Sequence, residues 1–146
     1  MAEIRDIWLH AHRMIRAARQ MINENLRPLN LSSAEGNILL HLLTQGEMGQ
    51  DQLVEELDIS KPGISRALSS LEDKGFVRRE PDAGDRRARR VLLTARAREV
   101  APQVEQIYNA VYARAVEDIS QQELEAFMHV FARMAQNFAR AQESQD

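Results

Sequence analysis

The sequence predicts a mainly α-helical protein: a winged helix-turn-helix with a small β-hairpin wing, flanked by long terminal helices that form a dimerisation region. Three observations carry this. Two short helical segments, near 51–57 and 61–74, are separated by a tight turn, and the second shows a small, polar and cationic outer face. Two runs of strand-forming residues follow at once, around an Asp/Gly turn dense in arginine. Long amphipathic stretches at both ends carry apolar stripes that so small a central domain cannot cover. The expected divisions are an N-terminal dimerisation helix over 1–30, a winged domain over 31–94, and C-terminal dimerisation helices over 95–146.

The first helix follows from Ile4, Ile7, Trp8, Ala11, Met14, Ile15, Ala18, Ile22 and Leu26, spaced at three and four residues, and Pro28 ends it. Ser32 and Glu35 form a capping-box pair that opens the second helix; Ile38, Leu39, Leu42 and Leu43 give its apolar face, and Gly46 stops it. Leu53, Val54 and Leu57 mark a short third helix. Ser60 caps the fourth, where Pro62 is tolerated because the first amides of a helix have no intrahelical acceptor. Ile64, Ala67, Leu68 and Leu71 turn inward, and Gly75 suits the left-handed residue beyond the end. Phe76–Glu80 and Arg90–Leu93 read as the two strands of the wing. Thr94 caps a fifth helix with Val100, Val104, Ile107 and Val111 on one side. Ser120 and Glu123 open the last, whose Leu124, Phe127, Phe131, Met134 and Phe138 recur at 3, 4, 3 and 4, a heptad seam.

Charge says what the wing faces. Between Arg78 and Arg98 there are eight arginines against three acids, a local +5, in a chain whose formal total is −3. An acidic chain that gathers cations on one loop is displaying that loop to a polyanion, and a planar guanidinium suits both phosphates and guanine edges. Arg78, Arg79, Arg86, Arg89 and Arg90 are the expected phosphate contacts. Lys61 and Ser69 lie on the outer face of the fourth helix. The absence of cysteine excludes disulfides, thiolate metal sites and thiol nucleophiles. No apolar run approaches a membrane span and no signal-peptide core follows the start, so a cytoplasmic location without membrane partnership is expected. No nucleophile–base pair, phosphate loop or metal-ligand spacing stands out. His10 and His12 point to different sides of a helix. The expectation is no catalytic residue, no metal and no cofactor.

The motifs around the wing resemble those of the MarR family of bacterial winged-helix regulators, most closely its SlyA-like branch. Asp85-Arg86-Arg87 leads to Leu93-Thr94 in the family's wing register. Leu71-Glu72-Asp73-Lys74-Gly75-Phe76-Val77 matches the end of its recognition helix. The resemblance implies that Pro62, Gly63, Ser65 and Arg66 face the major groove of double-stranded DNA, that Arg87 enters the minor groove, and that Asp85 braces it. It further implies a homodimeric repressor acting on a pseudo-palindromic operator and answering to a small aromatic or amphipathic acid. Family members commonly carry an aromatic residue early in the second helix, lining an effector cavity; here that position is Gly36. Either the cavity is larger, or a neighbour such as Trp8 fills it. The expected lining is Trp8, Arg13, Arg16, Gly36, Leu40 and His41, with the arginines available to a carboxylate. The alternative is a winged-helix module for protein contact without sequence-specific DNA binding, though a wing this rich in arginine disfavours it.

Overall fold

The computed structural model describes residues 3–85 and 87–144. In chain order these form α1 (Ile4–Leu26), a 3-10 turn (Arg27–Leu29), α2 (Ser33–Gln45), β1 (Met48–Gly49), α3 (Gln50–Glu56), α4 (Lys61–Asp73), β2 (Val77–Pro81), β3 (Arg89–Leu93), α5 (Ala95–Ala115) and α6 (Gln121–Glu143). They divide into two compact units, Met1–Tyr112 and Ala113–Asp146. The fold class is the one the sequence predicts.

In the first unit, the local stop and start signals act as their chemistry requires. Pro28 sits within the 3-10 turn, so α1 closes two residues earlier, and Asn30 takes the left-handed conformation that redirects the chain. The Ser32 hydroxyl accepts from the Glu35 amide at 3.2 Å, while Glu35 accepts from the Ser32 amide at 3.0 Å, completing the capping box of α2. Ser60 accepts from the Gly63 amide to open α4. That helix ends in a Schellman motif: Gly75 has φ +82°, its amide bonds to the Glu72 carbonyl, and the Phe76 amide bonds to that of Leu71. Thr94 caps α5 through the Ala97 amide and donates to the Gly75 carbonyl, fastening the end of the wing to the end of α4.

The sheet has three antiparallel strands in the order β1–β3–β2, one more than the expected hairpin. Met48 faces Val91 and Gly49 faces Arg90, so β3 is the centre strand; on its other side Arg79 faces Val91 and Glu80 faces Arg90. One core runs beneath α1, α2, α3, α4, the sheet and α5, with Leu26, Ile38, Leu39, Leu42, Leu53, Ile64, Leu68, Leu71, Val91 and Val104 fully buried. Burying such side chains is worth about 1.5–3 kcal/mol each against leaving them in water.

In the second unit, Asp118 supplies the left-handed residue before α6, and Ser120 and Glu123 complete a second capping box. The expected seam of α6 lies largely open: Phe127 and Phe131 are each more than half exposed and stack on one another at 5.4 Å. Among the described residues, no helix is long and apolar enough to cross a membrane.

Candidate nucleic-acid interface

The outer face of α4 is set by what its inner face buries. Ile64, Ala67, Leu68 and Leu71 point into the core, which leaves Lys61, Pro62, Arg66 and Ser69 exposed and Gly63 and Ser65 half-covered. Gly63 is required sterically. A Cβ there would come within 2.9 Å of the Ile59 side chain and 3.1 Å of the Ser60 hydroxyl, so glycine lets the turn fold close against the helix.

At the wing, the Asp82 carboxylate accepts from the Gly84 amide and Asp85 accepts from the Arg87 amide at 2.9 Å. Both are Asx turns, which shape the loop through the backbone. Asp85 thus holds the main chain of Arg87, and among the described residues no ion pair engages the Arg87 guanidinium. Arg87, Arg89 and Arg90 are exposed. Arg78 is exposed beside Glu80, at 3.8 Å, where solvent screening leaves little pairing energy. Arg86 lies outside the described residues.

Three other arginines of the +5 stretch engage side chains of the domain, and of these only Arg79 is largely covered. Arg98 pairs with Glu47 at 3.1 Å, and Arg96 lies over the Phe76 ring at 4.8 Å. Arg79, expected on phosphate, is four-fifths buried and its guanidinium engages Glu72, Ser69 and Gln50. The sequence carried a weak sign of this: Arg79 alternates with Arg78 and Glu80 and so shares the inner face of β2 with Val77.

The C-terminal end of α4 is also held by a carboxylate the sequence assigned only a capping role. Glu35, 5% exposed, accepts from Lys74 Nζ at 2.9 and 3.0 Å and from the Ser70 hydroxyl at 3.0 Å; Lys74 also donates to the Asn30 carbonyl at 2.7 Å. Burial pushes the Glu35 carboxyl upward, but the hydrogen bonds from Lys74, Ser32 and Ser70 outweigh it and leave the pKa below the ordinary carboxylate value. Lys74 was invisible as a partner because it lies 39 residues away.

The effector lining expected from the sequence fares differently. Gly36 opens onto no space: a Cβ there would lie 2.5 Å from Leu26 Cδ1 and 3.0 Å from the Tyr108 hydroxyl oxygen. The expected larger cavity gives way to Leu26 and Tyr108, which fill the space beside Gly36. Tyr108 donates to the Ser33 carbonyl at 3.2 Å, and burial, with Tyr112 nearby, raises its pKa far enough to keep that proton in place. Leu40 is half-buried against the core, and the half-buried His41 bonds to Glu56 of α3, which holds that carboxyl below its ordinary pKa. Trp8, Arg13 and Arg16 are exposed on α1. A groove of about 330 Å³ lies elsewhere, between the start of α2 at Ser32, Ala34 and Glu35 and the α4 residues Gly63, Arg66 and Ser70.

Residues 29–88 match the model of the MarR family. Over nearly its whole length the chain superposes on solved structures of that kind. A MarR transcriptional regulator from Methanosarcina mazei Go1 is 20% identical, with TM-score 0.84, over 97% of this chain and 94% of that one. The transcriptional regulator SlyA is 21% identical, with TM-score 0.83, over 97% and 99%. A putative MarR family transcriptional regulator from Listeria monocytogenes, solved in complex with a 26mer DNA, is 22% identical, with TM-score 0.80, over 97% and 92%. At these identities the likeness is one of fold.

Proposed function

We propose, from the match of residues 29–88 to the model of the MarR family, that this chain is a homodimeric DNA-binding transcriptional regulator, a repressor of a pseudo-palindromic operator. The observation that carries the reading is the exposure of Lys61 and Arg66 on the recognition helix and of Arg78, Arg87, Arg89 and Arg90 on the wing, in a chain of formal charge −3. A polyanion is the partner such a surface suits. The complex of the Listeria relative with DNA supports the same partner. Lys61, Pro62, Gly63, Ser65, Arg66 and Ser69 are proposed to meet the major groove. Arg87 is proposed to enter the minor groove, on a loop that Asp85 shapes, while Arg78, Arg89 and Arg90 hold phosphates.

The dimer follows from the apolar residues that α1 and α6 leave exposed, and the function is binding, without catalysis. Regulation by a small aromatic or amphipathic acid is part of the proposal, with the exposed Arg13 and Arg16 as its carboxylate partners and Trp8, Leu40 and His41 as further candidate lining; Gly36 drops out, since its space is occupied.

The test is a titration of labelled duplexes drawn from a randomised pool, read by fluorescence anisotropy over a salt series. With about four phosphates neutralised per protomer, log K falls with log salt at a slope near −7 for a dimer, and a few duplexes bind far above the pool. Weak binding that is indifferent to both sequence and salt would favour the protein-interaction module instead.

A further inference from the structure

Arg79 stands at the root of the wing with its guanidinium held against the two helices beside it. Its Nε donates to Glu72 Oε1 at 2.8 Å, its Nη2 to Ser69 Oγ at 3.1 Å, and its Nη1 to Gln50 Oε1 at 3.5 Å. The acceptors belong to the recognition helix α4 and to the first residue of α3, while Arg79 itself sits on β2 opposite the fully buried Val91. A single guanidinium therefore ties the wing to both helices of the helix-turn-helix. Resting on the reading that this domain binds DNA, we infer that Arg79 is a positioning residue that locks the wing to the recognition helix and orients Ser69, and that it is not a phosphate ligand.

Two physical points carry this. The first is charge. Arg79 is paired with Glu72 where both are largely covered, with side-chain exposures of 20% and 34%, so the pair presents almost no net charge to a phosphate. Taking Arg79 to the DNA would strip Glu72 of its partner in a half-covered site, a cost that the surface arginines of the wing do not carry. The second is polarity. A hydroxyl has one proton and two lone pairs, and Ser69 spends a lone pair on Arg79. Its proton stays free to donate outward from the exposed face of α4. The brace thus sets both the angle between wing and helix and the sense in which Ser69 hydrogen-bonds.

The experiment uses the full chain with Arg79→Met or Glu72→Gln, and the tightest duplex recovered by the wild-type protein from a randomised pool. Both variants are expected to lower the ratio of specific to non-specific affinity by about tenfold, the scale of one misplaced direct contact. The salt slope stays that of the wild type in both. A merely destabilised protein would lower the active fraction and leave that ratio unchanged.

The opposite assignment predicts opposite signs. If Arg79 holds a phosphate, Arg79→Met makes the dimer's slope shallower by about 2. Glu72→Gln then frees a cation and removes an acid, so binding tightens; either result overturns the inference. Should the wild-type chain bind no duplex, the DNA reading fails by itself and the brace is still tested by hydrogen exchange. The amides of α4 and β2 then exchange faster in both variants, and unchanged protection rejects it.

Discussion

Glu35 closes the capping box of α2 through Ser32 and, with the same carboxylate, takes hydrogen bonds from Ser70 of α4 and from Lys74, the residue that caps it. Glutamine can keep the cap, so Glu35→Gln isolates the ion pair. We expect it to cost about 1–3 kcal/mol near neutral pH, less than breaking a fully buried pair because Lys74 reaches water. The pKa of Glu35 is lowered in the folded state. Its contribution is therefore complete above the ordinary carboxylate pKa and is lost as pH falls through the lowered value. Urea midpoints measured from neutral into acid should converge for wild type and variant; a constant gap would contradict the pairing. One residue along, Gly36→Ala puts a methyl group against the buried Leu26 and Tyr108 and should cost about 1–3 kcal/mol by overpacking, seen as a lower thermal midpoint. The cap was legible because Ser32 and Glu35 are three residues apart. The occupants of the space beside Gly36 were not, since Tyr108 arrives from 72 residues away.

In the proposed function the recognition helix and the wing divide the reading of DNA between grooves of different information content. Arg66→Ala should cost about 1–3 kcal/mol on the operator and relax preference at one position in each half-site. Arg87→Ala should instead weaken sites flanked by A·T-rich minor grooves, because the potential there depends on groove width. Competition among single-position operator variants checks both; equal losses across all variants would refute the division. At this scale most of the fold was legible, because stop and start signals are local chemistry: Ser60, Gly75, Thr94 and Ser120 all act where they stand. The strand β1 was not. Two residues become a strand only by pairing with Val91 and Arg90, some forty positions on. Nor does α5 betray Pro102, which it carries in its interior without ending.

Among the described residues, most of the large exposed apolar side chains fall on the terminal helices, with Ile4, Ile7 and Ile15 on α1 and Phe127, Val130 and Phe131 on α6. Apolar surface of this extent is the basis of the proposed dimer. Sedimentation at micromolar concentration should give a dimer, and Phe127→Asp combined with Phe131→Asp should shift it towards the monomer mass; a wild-type monomer under these conditions would refute the dimer. The heptad spacing of α6 announced an apolar face, as any helical period does, but one sequence does not say which surface lies against it.

The sheet has a consequence for behaviour at high local concentration. Proteins crowded along a duplex bring their edges together, and an open, apolar edge strand recruits its like into growing sheets. One edge here is β1, two residues long, and the other is β2, which alternates Arg78 and Glu80 with inward residues and terminates in Pro81, whose ring nitrogen has no proton to give. The central strand β3, with the apolar run Val91–Leu93, is covered on both sides. The wing can therefore carry its strands to the surface of the molecule without becoming a template for aggregation.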